Sequence, residues 1–141
     1  MGPRAPRSSG FEPLPARVTF SVDQHPVPRE SRLYIDEHGV LDYEMINIVT
    51  GDVVEGASGR LTRVEHDTVL PLLVDFQEYK TYFTEYVMDG PLYWIHFENA
   101  QVEHDVTMYF MDLGGASERQ LELLDVLREI LRRLAQQVAE E

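Results

Sequence analysis

A chain of 141 residues, 43% hydrophobic and 26% charged, has the size and balance of one folded domain around a single core. The absence of cysteine excludes disulfides, thiolate zinc sites and thiol catalysis, so any metal would have to be held by histidine and carboxylates. The net charge of −13 falls mostly on the body of the chain and argues against nucleic-acid binding, which needs Lys and Arg on the phosphates.

Residues 1–15 carry four of the eight prolines together with Arg4, Arg7, Ser8, Ser9 and Gly10, and are expected to form a flexible or partner-ordered tail ahead of a single domain over 16–141. The basic start runs into FEPLPARVTF rather than an apolar h-region, and no apolar run reaches the length of a membrane span. Pro3 and Pro6 break the myristoylation pattern after Gly2. A cytoplasmic protein with no membrane attachment is the expectation.

ARVTFSV alternates, with Val18, Phe20 and Val22 on one side, and predicts a strand. The DQHPVPRE turn follows and contains His25. RLYIDEHGVLDYEMI predicts a hairpin in which Ile35 faces Leu41, leaving the loop Glu37-His38-Gly39 with glycine at the left-handed position. His38 is then a solvated loop tip. TGDVVEGASGRLTRV reads as an irregular strand with bulges or turns at Gly56 and Gly59.

HDTVLPLLVDF predicts a short helix capped by Asp67, which puts Pro71 in its first turn. Thr62-x-x-Glu65 is a competing capping box that would leave Pro71 in the third turn. Tyr79, Tyr82, Phe83 and Tyr86 recur at helical spacing and predict an amphipathic helix, with Tyr79, Tyr82 and Tyr86 as candidates for a partner groove.

PLYWIHFENAQVEHDVTMYFM predicts a second hairpin pairing Phe97 with Val102 and Ile95 with His104 around a tight Asn99-Ala100 loop. Its polar face carries Trp94 opposite Asp105 and His96 opposite Glu103, and Trp94, His96 and Asp105 are candidate partner-binding residues. Ser117-x-x-Gln120 then opens a long helix with acids early and arginines late. Leu124, Leu127, Leu131, Leu134 and Val138 line its apolar side, which is expected to cover one face of the sheet; Leu127, Leu131 and Leu134 also offer a route to self-association.

VEHD occurs twice, at 64–67 and 102–105. Strand alternation sends His104 to the apolar side and Glu103 and Asp105 to the other, so the second copy does not converge on one point. Neither the zinc-protease and EF-hand spacings nor a nucleophile elbow or phosphate loop is present, and no catalytic residue, metal site or cofactor is expected.

The fold expected is α+β: an antiparallel sheet of about five or six strands, with two clear hairpins and a long C-terminal helix on one face. The leading functional expectation is a non-catalytic protein-interaction module, as accessory subunit, adaptor or small inhibitor. An acidic antagonist that mimics nucleic-acid charge against a basic partner is the alternative, and a metal- or His-dependent enzyme the second.

Overall fold

The computed structural model describes residues 11–24, 27–83 and 90–140. Strands form where apolar and polar residues alternate: β1 (Arg17–Asp23), β2 (Arg29–Ile35), β3 (Val40–Asn47), β4 (Val53–Arg60), β5 (Leu92–Glu98) and β6 (Glu103–Tyr109). Each pairs antiparallel with its neighbour in the order β4-β3-β2-β1-β5-β6. With α1 (Arg63–Leu73) and α2 (Glu118–Ala139) this is the expected α+β architecture.

Alternation gives the sheet two different faces. Val18, Phe20, Leu33, Ile35, Leu41, Tyr43, Ile95, Phe97, Val106 and Met108 point to one face and are buried. Both helices close that face. Along α2, Leu123, Leu124, Leu127, Ile130, Leu131 and Leu134 recur at intervals of one, three and four and are buried against the sheet. Helix α1 contributes Val69, Leu72 and Leu73 to the same core.

The β2–β3 hairpin has the expected register, with Ile35 opposite Leu41 and Gly39 at φ +80°. Asp36 Oδ1 accepts from the backbone N–H groups of His38 and Val40, which fixes the loop and leaves His38 exposed. The irregularity in β4 lies elsewhere than expected. Glu55 pairs with Met45 and Val53 with Ile46, so the extra residue is Val54 rather than Gly56 or Gly59. Those glycines serve close approach instead: a Cβ on Gly56 would sit 3.0 Å from the Tyr43 carbonyl oxygen, and one on Gly59 3.4 Å from Leu134 of α2.

Helix α1 begins at the competing cap. Thr62 accepts from Glu65 N–H at 3.1 Å while the Glu65 carboxylate accepts from Thr62 N–H at 2.8 Å. Two satisfied end groups outweigh the one bond to the Asp67 carbonyl that Pro71 cannot make, and the helix stops two residues after the proline.

The aromatic segment is also corrected. A 3-10 turn over Phe76–Glu78 gives way to extended chain at Tyr79, and Tyr82 forms a parallel bridge to Met108. Tyr82 N–H donates to the Thr107 carbonyl and Tyr109 N–H to the Tyr82 carbonyl, so pairing with the β6 edge replaces helix. Gln120 holds this strap, accepting from Lys80 N–H at 3.1 Å and donating to the Lys80 carbonyl at 2.6 Å. That use diverts Gln120 from the capping box; Ser117 still caps α2 by accepting from Gln120 N–H.

Residues 11–15, assigned by composition to the tail, pack on the domain because Phe11 and Leu14 have apolar seats. Leu14 is buried and its N–H donates to the Glu37 carbonyl. Phe11 stacks on His66 with ring centroids 4.5 Å apart, beneath the Arg63 guanidinium.

Candidate functional site

The second face of the sheet is covered by neither helix. In sheet order, one row across it runs Ser58, Asp42, Tyr34, Thr19, His96, Asp105, and the next runs Gly56, Glu44, Arg32, Ser21, Trp94, Thr107. Polar contacts knit the row ends: Ser58 donates to Asp42 at 2.8 Å, Tyr34 to Glu44 at 3.1 Å, and Arg32 pairs with Glu30 at 2.6 Å. The Glu30 contact is the chief reason the Arg32 guanidinium is held above its usual value. Ser21, 5% exposed between Arg32 and Trp94, has a hydroxyl with no partner among the described residues.

The β5–β6 hairpin concentrates the chemistry. Its register differs from the expected one by two residues: Phe97 faces His104, Ile95 faces Val106, His96 faces Asp105 and Trp94 faces Thr107. A shift of two keeps every side chain on its face, so hydrophobic patterning alone is blind to it. Turn chemistry decides. Asn99 Oδ1 accepts from both Gln101 and Val102 N–H at 2.9 Å, which requires the four-residue loop 99–102 rather than a tight Asn99-Ala100 turn. Glu98 is thereby set directly opposite Glu103.

His96 stands at the centre of three carboxylates. Its Nδ1 lies 2.6 Å from Asp105 Oδ1, and because a carboxylate only accepts, Nδ1 carries the proton. Its Nε2 then faces Glu103 Oε1 at 3.3 Å and Glu98 Oε1 at 3.8 Å. Trp94 stacks on the imidazole, centroids 5.8 Å apart and planes 21° from parallel, and is itself 36% exposed. Beside the ring lies a cavity of about 240 Å³, lined by Arg17, Thr19, Tyr34, Asp36, His96 and Glu98. The Arg17 guanidinium turns away to Glu37 at 3.3 Å.

Of the sequence candidates, Trp94, His96 and Asp105 are thus brought together. Glu98 was missed, although His96-x-Glu98 on a strand necessarily shares one face. Tyr79 is buried, its hydroxyl donating to the Leu72 carbonyl, and burial pushes its ionisation up. Tyr82 is half-buried under the β6 edge, and Tyr86 lies outside the described residues. Leu127, Leu131 and Leu134 are enclosed in the domain's own core, at 0, 8 and 0% exposure.

The first VEHD copy lies in α1, and the second runs from the β5–β6 loop into β6. In the first, Glu65 binds Arg133 of α2, and His66 is buried with Nε2 2.8 Å from the Glu12 carbonyl oxygen. In the second, His104 turns to the covered face, with Nε2 2.7 Å from the Tyr79 carbonyl oxygen, while Glu103 and Asp105 join His96 on the open one. No protein-family model matches this chain, and no curated protein matches it as a relative. No described helix is long and apolar enough to cross a membrane.

Proposed function

We propose that the chain is a non-catalytic protein-interaction module acting in the cytoplasm, an accessory subunit, adaptor or small inhibitor that receives its partner on the open face of the sheet. The observation that carries this reading is Trp94, a large aromatic side chain left 36% exposed in the midst of a polar sheet surface. Tryptophan ringed by polar groups that exclude water is the anatomy of an interface anchor. Thr19, Thr107 and the His96 cluster supply such a ring.

Charge specifies the partner further. The open face bears Asp23, Glu30, Asp42, Glu44, Glu98, Glu103 and Asp105 against Arg17, Arg32 and Arg60. An acid excess of this kind steers a basic partner and discriminates against acidic ones. The same excess favours one second reading, competition with nucleic acid for the basic surface of its binder.

Tagged full chain, Trp94→Ala and Asp42→Lys/Glu44→Lys, compared in co-purification from the source cells with stepped salt elution, test both readings. The expectation is a stoichiometric partner held by the wild type and lost by Trp94→Ala. Release of a nucleic-acid-binding protein at modest salt, with loss on charge reversal, selects the second reading. Equal recovery by all three proteins, or no partner for any, overturns the docking face.

A further inference from the structure

We propose that His96, Glu98 and Glu103 form a binding site for a first-row divalent transition metal of the Zn²⁺ class, with Asp105 as the positioning residue. This inference stands apart from the docking proposal and rests on the geometry of one hairpin. One ligand atom from each of His96, Glu98 and Glu103 lies within 4.8 Å of the other two. Two of the separations are 3.3 and 3.8 Å. Ligands about 2.0–2.1 Å from a tetrahedral zinc are spaced about 3.4 Å apart, so only small side-chain rotations are needed to close the set.

The imidazole is oriented for the task. A ligating histidine commonly donates its other N–H to a carboxylate, which fixes the tautomer and strengthens the ligand. The Asp105 contact at Nδ1 does this and leaves Nε2 facing the two glutamates. Stacking on Trp94 holds the ring plane.

Backbone register supplies an independent reason. Glu98 and Glu103 are direct cross-strand partners, an arrangement of like charges that weakens a hairpin unless a cation lies between them. Among the described residues no Lys or Arg pairs with Glu98, Glu103 or Asp105; Arg17, the neighbour of Glu98 on β1, is engaged by Glu37. An imidazole nitrogen with two carboxylates suits zinc and its row better than calcium or magnesium, which take oxygen ligands throughout. Both glutamates are more than half exposed, so a fourth position is open to water or to a donor from a partner.

The rival arrangement is an imidazolium that simply donates to carboxylates at both nitrogens. Titration of the full chain with ZnCl₂ at neutral pH, by calorimetry and by NMR of the histidine ring nitrogens, separates the two. The expected result is one saturable site, with the Nε2 resonance of His96 shifting on binding. His96→Gln should abolish that site, Glu98→Gln and Glu103→Gln should each weaken it at least about tenfold, and Asp105→Asn by about 10–100-fold. His38 is exposed and is the control for adventitious zinc; His25 lies outside the described residues. Binding that survives His96→Gln, ring shifts confined to another histidine, or no saturable binding overturns the proposal. Because no partner is present in this titration, its outcome is independent of whether the open face docks a protein.

Discussion

Glu65 caps α1 through one contact and ties it to α2 through two more, and its removal has a calculable cost. The carboxylate accepts from Thr62 N–H at 2.8 Å, while Arg133 forks onto both oxygens, Nε at 2.9 Å and Nη2 at 2.7 Å. Loss of the capping arm costs about 0.5–1 kcal/mol. The ion pair is only partly shielded, with side-chain exposure of 15% for Glu65 and 37% for Arg133. Its worth therefore lies above the 0.2–1 kcal/mol of exposed pairs and well below that of buried ones, at about 1–1.5 kcal/mol. Glu65→Ala should lower stability by about 2 kcal/mol, read in urea as a lower midpoint at unchanged slope. Glu65→Gln, which can still cap, should lose about half as much. A double-mutant cycle with Arg133→Ala isolates the pair and should return about 1 kcal/mol of coupling. Coupling below about 0.3 kcal/mol would refute the claim that this fork, rather than apolar contact alone, fastens α1 to α2.

Asn99→Ala removes the acceptor for the Gln101 and Val102 amides and should cost about 1–2 kcal/mol, with hydrogen exchange at those two amides accelerating most. Gln120→Leu leaves both backbone groups of Lys80 without their partner and should cost about 2 kcal/mol; a thermal midpoint within a degree of wild type would count against the strap. Tyr43 is buried and its hydroxyl donates to Glu55 at 2.9 Å, so its ionisation is pushed up to about 12 from an ordinary value near 10, burial being the larger cause. The folded state thus keeps a proton that the unfolded state releases. That stabilisation is complete below pH 10 and is lost as pH rises from 10 to 12, by up to about 2 kcal/mol. Tyr43→Phe should flatten this part of the urea-midpoint profile, and identical profiles would show that Tyr43 is not the group responsible.

How much of this was legible in the sequence depends on whether a local signal was unique. The β2–β3 hairpin was, because the apolar pattern and Gly39 both select one register. Helix α2 was, since Ser117 and the leucine spacing mark its start and its buried side. The β5–β6 register was not: pairings two residues apart bury the same faces, and only the hydrogen bonds of Asn99 distinguish them. The tyrosines at 79 and 82 satisfy a helical period, yet a bare edge on β6 and a buried amide at Gln120 hold them extended, and both are remote in sequence. At α1 both candidate caps are visible in the sequence, and the reciprocal capping box outweighs the cost of Pro71 inside the helix. Glu98 escaped notice because the misplaced register did not set it against Glu103.

The two faces of the sheet answer to different demands. On the covered face, titratable groups are each satisfied: His66 by the Glu12 carbonyl and Asp67, His104 by the Tyr79 carbonyl, Glu65 by Arg133 and Thr62 N–H. On the open face the matching stops at the β5–β6 hairpin. Three carboxylates surround one imidazole, two of them directly opposed, and Trp94 keeps more than a third of its surface in water. Like-charge cross-strand pairs and exposed aromatics both work against a stable, solitary fold. Glutamine at 103 would relieve the repulsion at no cost to the strand, and threonine at 94 would remove the exposed ring while keeping β propensity. Local departures from the rules that stabilise a fold concentrate where function is exercised. At the β5–β6 hairpin the opposed carboxylates and the exposed tryptophan fall together, and that coincidence is what supports the proposed working surface at Trp94, His96, Glu98, Glu103 and Asp105. A Glu103→Gln domain that melts higher than wild type without metal, and binds zinc more weakly, would display both halves of that trade in a single variant.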